Sequence, residues 1–86
     1  MSDEEIIAAL RSEKGRLTPV ELAELLAGLT RVSLSDQLIV FYFKRAFPEI
    51  PLDVLMESAL WTRVGRGHLS DEGFNELLHS WLGRPS

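Results

Sequence analysis

Apolar residues along the chain recur in five short segments of helical period, separated by proline, glycine or a helix-start residue. In the first, Ser2 stands three residues before Glu5. At that spacing each side chain can satisfy the other's free backbone amide at a helix start. Ile6, Ile7 and Leu10 form one stripe, and Gly15 is placed to end the segment in a left-handed turn. The second opens on Thr18-Pro19-Val20-Glu21, with a cap, a proline at the first helical position and a glutamate at the third. Leu22, Leu25, Leu26 and Leu29 follow with helical spacing, while Gly28 and Thr30 weaken the far end.

The third segment, DQLIVFYFKRAFP over 36–48, holds six consecutive apolar residues. Ser33 or Ser35 caps it, and Pro48 stops it by steering Phe47 out of the helical region. A buried strand has similar composition, but no second run exists to pair with it, so helix is the expectation. At about 100° per residue, Gln37, Lys44 and Arg45 share a narrow polar sector with Phe41 between them. Leu38, Val40, Tyr42, Phe43 and Phe47 occupy the rest of the circumference. This predicts a central helix, covered by neighbours on most sides.

Pro51 opens a fourth helix with a stripe of Leu52, Leu55, Met56, Ala59 and Leu60, ended by Gly65 or Gly67. Val54 and Trp61, seven apart, project to a second side of it. Ser70-Asp71-Glu72 opens the fifth, with negative charge where the helix dipole favours it. Phe74, Leu77, Leu78, Trp81 and Leu82 fall at i, i+3, i+4, i+7 and i+8, which places Trp81 in the core, and Gly83 closes the helix. The expected fold is all-α: one domain over residues 1–86, a compact bundle of about five short helices with the 35–47 helix at its centre.

Composition narrows the function more than the fold. With 45% apolar and 26% charged residues the chain is globular rather than disordered. Its net charge of −4 argues against nucleic acid as a partner. It has no cysteine, which removes disulfide scaffolds, thiolate zinc sites and cysteine nucleophiles and suits a reducing cytoplasm. The acidic start lacks the form of a signal peptide, and no run reaches the ~18–20 apolar residues of a membrane span. A cytoplasmic protein without membrane contact is expected.

Catalytic chemistry finds little to use. His68 and His79 have no nucleophile or carboxylate at a triad spacing and no H-x-x-x-H zinc spacing, so both read as surface histidines. Glu4-Glu5, Glu21 with Glu24, and Asp71-Glu72 all fall in first helical turns, where they serve the dipole and caps. Gly65-Arg66-Gly67 could offer amides to an anion beside Arg63 and His68, but reads more simply as a turn between helices. No enzyme activity and no cofactor or metal is expected. The segment LTPVELAELL resembles the first helix of a helix-turn-helix motif. The helix that follows is too apolar to lie in a DNA groove, which leaves a DNA-binding regulator the weakest reading.

The C-terminal half carries an R-x-F-P turn (Arg45, Phe47, Pro48), Trp61 with Arg63, and a final L-S-D-x-x-F-N-x-L-L-x-x-W-L helix. In these features it resembles the helical effector-associated or death-like adaptor domains of bacterial defence and signalling proteins. The resemblance implies homotypic or adaptor-type recruitment, with no active site to carry over. Small acidic immunity proteins, which neutralise a toxin by covering it, share the size and helix content and form the alternative. Either way the expected partner is another protein or another copy of this one. The expected contact residues are Phe41, Lys44, Arg45, Val54, Trp61 and Arg63, with Phe41 as anchor and Lys44 and Arg45 steering toward an acidic surface.

Overall fold

Capping side chains set where the helices begin. The computed structural model describes residues 2–64 and 67–82. Among them are five helices: α1 (Asp3–Ser12), α2 (Pro19–Thr30), α3 (Asp36–Ala46), α4 (Leu52–Ser58) and α5 (Asp71–Leu82). These residues contain no strand, and two isolated bridges, Lys14 with Leu17 and Trp61 with Leu69, are their β-type pairings. The chain is thus a small all-α bundle.

At α2 the full reciprocal cap forms: Glu21 N–H donates to Thr18 Oγ1 at 3.2 Å, and Thr18 N–H donates to Glu21 Oε1 at 2.9 Å. At α1 only half of it forms. Glu5 N–H reaches Ser2 Oγ at 3.2 Å, while the Glu5 carboxylate takes the Ser2 hydroxyl instead of its amide. Of the two candidate serines before α3, Ser35 caps, accepting from Leu38 N–H at 3.1 Å. Ser70 does the same for α5 through Gly73 N–H. Gly15 adopts the expected positive φ, 80°. Arg31 is left-handed as well, at 59°, and its N–H closes α2 on Ala27 O at 2.9 Å.

The five helices pack as a closed ring. α1 lies against α2 and α3, α4 joins α3 to α5, and α5 returns to α2. Inside the ring Phe74 meets Trp61 at 4.1 Å between centroids and Phe43 at 6.5 Å. Leu10, Leu22, Leu26 and Leu78 fill the space around these rings without exposure. Val20 N–H, an unsatisfied donor of the first turn of α2, is taken by Asn75 Oδ1 on α5 at 2.9 Å.

Three expectations about the helices are corrected. α3 is one member of the ring, not an enclosed centre. It turns Ile39, Tyr42, Phe43 and Ala46 inward and leaves Phe41 at the surface. Among the described helices, only α1 and α4 pack closely on α3, so one side of it stays uncovered. α4 ends at Ser58, well before the glycines expected to stop it, of which Gly65 lies outside the described residues. The chain leaves the helix so that Trp61 can enter the core fully buried, its Nε1–H donating to Asp71 Oδ1 at 2.8 Å. Trp81, expected inside, is only half-buried at the edge of the core. Gly83 also lies outside the described residues.

The α3–α4 connection is held from several sides. Lys44 Nζ donates to Pro48 O at 3.2 Å and Ile50 O at 2.8 Å. Arg11 on α1 donates through Nε to Ala46 O at 2.9 Å and through an Nη to Arg45 O at 3.0 Å, occupying carbonyls that the end of α3 leaves open. Lys14 and Glu49 form an ion pair beside them. These contacts hold the α3–α4 connection against α1 and against the end of α3.

Candidate docking surface on α3 and α4

Because α4 buries Leu55 and Ser58, the residues on its other side cannot also face inward. Leu52 and Met56, one turn apart, are 51% and 63% exposed, and Leu60 just beyond the helix is 45% exposed. Across from them stands Phe41 on α3, 41% exposed. Between the two helices runs a groove of about 550 Å³. Half-buried Val40 and Ala59 form its floor, Gln37 and Phe41 one wall, Leu52 and Met56 the other, and Asp36 stands at one end. Isolated exposed apolar residues are ordinary, as with Val32 between α2 and α3. A contiguous set around a concave surface is not.

The expected contact residues divide. Phe41 is on the face, its ring edge against Tyr42 at 4.9 Å between centroids. Arg45 is beside it, with Cζ 4.5 Å from the Phe41 centroid, so the guanidinium stiffens the aromatic wall. Lys44 is spent on the Pro48 and Ile50 carbonyls. Val54 is half-buried against the core. Trp61 is a correction: a fully buried indole cannot anchor a partner. Arg63 lies over that indole at 5.3 Å and faces Glu24 of α2 at 3.8 Å, which ties it to the bundle. Trp61, Val54 and Arg63 take no part in lining the groove.

Sequence reasoning missed Leu52 and Met56 by grouping them with Leu55 in one inward stripe. The usable signal was the breadth of that stripe: α4 carries apolar side chains over more sectors than a seven-residue helix at a ring's edge can bury.

The electrostatics of the rim also differ from expectation. Asp36, Asp53 and Glu57 are exposed and form no ion pair with another described residue. Lys44 and Arg45 keep their positive charge while contacting carbonyls and an aromatic face, and both belong to α3. The three carboxylates outnumber these two cations, and the charge along α4 is wholly negative.

A second, more polar cleft of about 550 Å³ lies where the start of α1 meets the end of α2, bordered by Asp3, Thr30, Arg31 and Tyr42. Tyr42 Oη donates to Asp3 Oδ1 at 2.6 Å, and this contact with a carboxylate, aided by burial, pushes the phenol above its ordinary value. Thr30 Oγ1 is bonded back to Leu26 O at 2.9 Å. The cleft's polar groups thus largely satisfy one another.

His68 is exposed and His79 is half-buried on α5. Among the described residues no three His, Asp or Glu side chains gather in a way that could hold a metal. Residues 65 and 66 of the glycine-flanked turn lie outside the described set. No helix among the described residues is long and apolar enough to cross a membrane. No protein-family model, curated protein or solved structure matches the chain.

Proposed function

We propose that the chain is a non-catalytic recognition module that docks another protein through the α3–α4 face in a reducing cytoplasm. One observation carries this reading. Phe41, Leu52 and Met56 stand 41%, 51% and 63% exposed around a single groove, although the core is otherwise closed. Side chains left this exposed forgo roughly half of the ~1.5–3 kcal/mol that full burial of a large apolar residue supplies. Methionine is suited to such a face because its unbranched, polarisable side chain adapts to a partner's shape. An aromatic braced by an arginine supplies an anchor with little rotamer freedom left to lose. The likeness of the C-terminal half to adaptor domains favours a role in recruitment or assembly.

The test is site-specific photo-crosslinking in the native cell. A benzophenone side chain is placed at position 52 or 56, and at position 76 on α5 as an exposed control. The reading expects one discrete adduct from 52 and 56 and none from 76. Equal labelling from all three positions, or none from any, would sink it. The adduct's identity separates the roles: an assembly or signalling component supports an adaptor, and a toxin supports an inhibitor.

A further inference from the structure

We infer that the occupant of the α3–α4 groove is an amphipathic helix of another protein, with lysine or arginine flanking its apolar stripe. This rests on the docking-face reading above and adds the conformation and charge of what binds.

The conformation follows from what the groove offers. Both walls are helices whose backbone groups are internally paired, so there is no strand edge for an extended peptide to join. What the walls present are ridges one turn apart, Gln37 with Phe41 on α3 and Leu52 with Met56 on α4. Ridges of that i, i+4 spacing accept the complementary ridges of a third helix. α3 is 11 residues long and α4 is 7, or roughly 16 and 10 Å at 1.5 Å per residue. That length accommodates about two to three turns of the incoming helix.

The charge follows from the rim. Asp36 closes one end of the groove, and Asp53 and Glu57 follow the outer edge of α4 beside Leu52 and Met56. All three are exposed and outside any ion pair among the described residues, on a chain of net charge −4. Carboxylates so placed attract cations at the margin of the contact and repel acidic surfaces. A second copy of this chain would bring the same three carboxylates against only two cations, Lys44 and Arg45, and so add net negative charge to the contact. An anionic lipid surface would meet them with its own negative potential. A basic helix satisfies the rim and the groove together.

A display library of helical peptides tests this, with an apolar i, i+3, i+4, i+7 stripe held constant and the flanking positions randomised. Selection is run on the full chain, and in parallel on Met56→Asp. The inference expects the full chain to enrich lysine and arginine at the flanks and Met56→Asp to enrich nothing. The selected peptide should weaken about tenfold against Asp36→Asn/Asp53→Asn/Glu57→Gln, as three rim pairs of modest strength imply. It should also weaken as salt is raised. Enrichment of acidic flanks, or no flank bias, while Met56→Asp still abolishes selection, overturns the charge assignment and leaves the docking face intact. Peptides selected equally by both proteins, or no enrichment at all, overturn the helical occupant. The crosslinking from positions 52 and 56 then decides the docking face independently. A concentration-dependent dimer in sedimentation that Met56→Asp dissolves would replace the basic helix with a second copy.

Discussion

Replacing Trp61 by alanine removes the largest fully buried side chain of the bundle. The indole is stacked within 4.1 Å of Phe74 and donates to Asp71 at 2.8 Å, so its loss leaves a cavity beside the central aromatic cluster. Large aromatic truncations in packed cores cost about 3–5 kcal/mol. At ~0.05–0.15 kcal/mol per residue, a chain of 86 residues has on the order of 4–13 kcal/mol to lose. At the lower end of that range Trp61→Ala unfolds most of the population, and at the upper end the variant stays folded with a lower midpoint. Trp81→Ala supplies the contrast, because the same chemistry is removed from a half-buried site; about 1–2 kcal/mol is expected there. Urea titration followed by far-ultraviolet circular dichroism reads both variants without relying on the deleted fluorophore. With a slope of about 1 kcal/mol per molar urea, the midpoint should fall by roughly 3–5 M for Trp61→Ala and about 1–2 M for Trp81→Ala. Equal shifts, or a larger one for Trp81→Ala, would show that Trp61 does not centre the core.

Three further outcomes follow from local geometry. A Cβ added at Gly67 would run into Leu60 O and Leu60 Cα, backbone atoms that cannot rotate away. Gly67→Ala should therefore cost about 2–3 kcal/mol and speed hydrogen exchange at Leu69, whose N–H bonds Leu60 O; unchanged exchange would refute the close approach. Tyr42→Phe should cost about 1 kcal/mol by removing the bond to Asp3. Because the folded phenol is raised, its contribution is whole below about pH 10 and is lost as pH rises through the folded value. Phenolate absorbance reads the chain's one tyrosine directly, and a titration point at or below the ordinary value would contradict the contact. Glu49 is held below its ordinary value chiefly by the hydrogen bond from Lys14, so its contribution is present above the ordinary carboxylate range and lost as acid passes the folded value. Glu49→Gln should flatten that part of the acid-stability curve, and an unchanged curve would remove the pair from the account.

Much of this fold could be read from short-range chemistry. Thr18-Pro19-Val20-Glu21 specifies a helix start within four residues, and Pro48 specifies an end, so α2 and α3 fall where the sequence places them. The spacing of Phe74, Leu78 and Leu82 orients α5. What periodicity could not supply were choices made by distant partners. Trp61 looks like a helix residue until Asp71 and Phe74 draw it out of α4. Trp81 fits the apolar stripe of α5 but lies where the ring has no further neighbour to cover it. Lys44 reads as a free surface cation because nothing in its own segment reveals that the carbonyls of Pro48 and Ile50 turn toward it. Phe41 was visible as a misfit between polar residues, while its companions Leu52 and Met56 were hidden in a stripe that appeared continuous. Half of the docking face was thus legible, and the other half depended on which side of α4 the bundle buries.

The central claim is that Phe41, Leu52 and Met56 form a face which the isolated chain does not need for folding. The most direct measurement is the unfolding free energy of Leu52→Asp/Met56→Asp. The account expects a cooperative transition within about 0.5 kcal/mol of the parent, the range of ordinary surface substitutions. A loss of several kcal/mol, as when charge enters a core, would show that these side chains hold the bundle together, and the docking surface would be withdrawn.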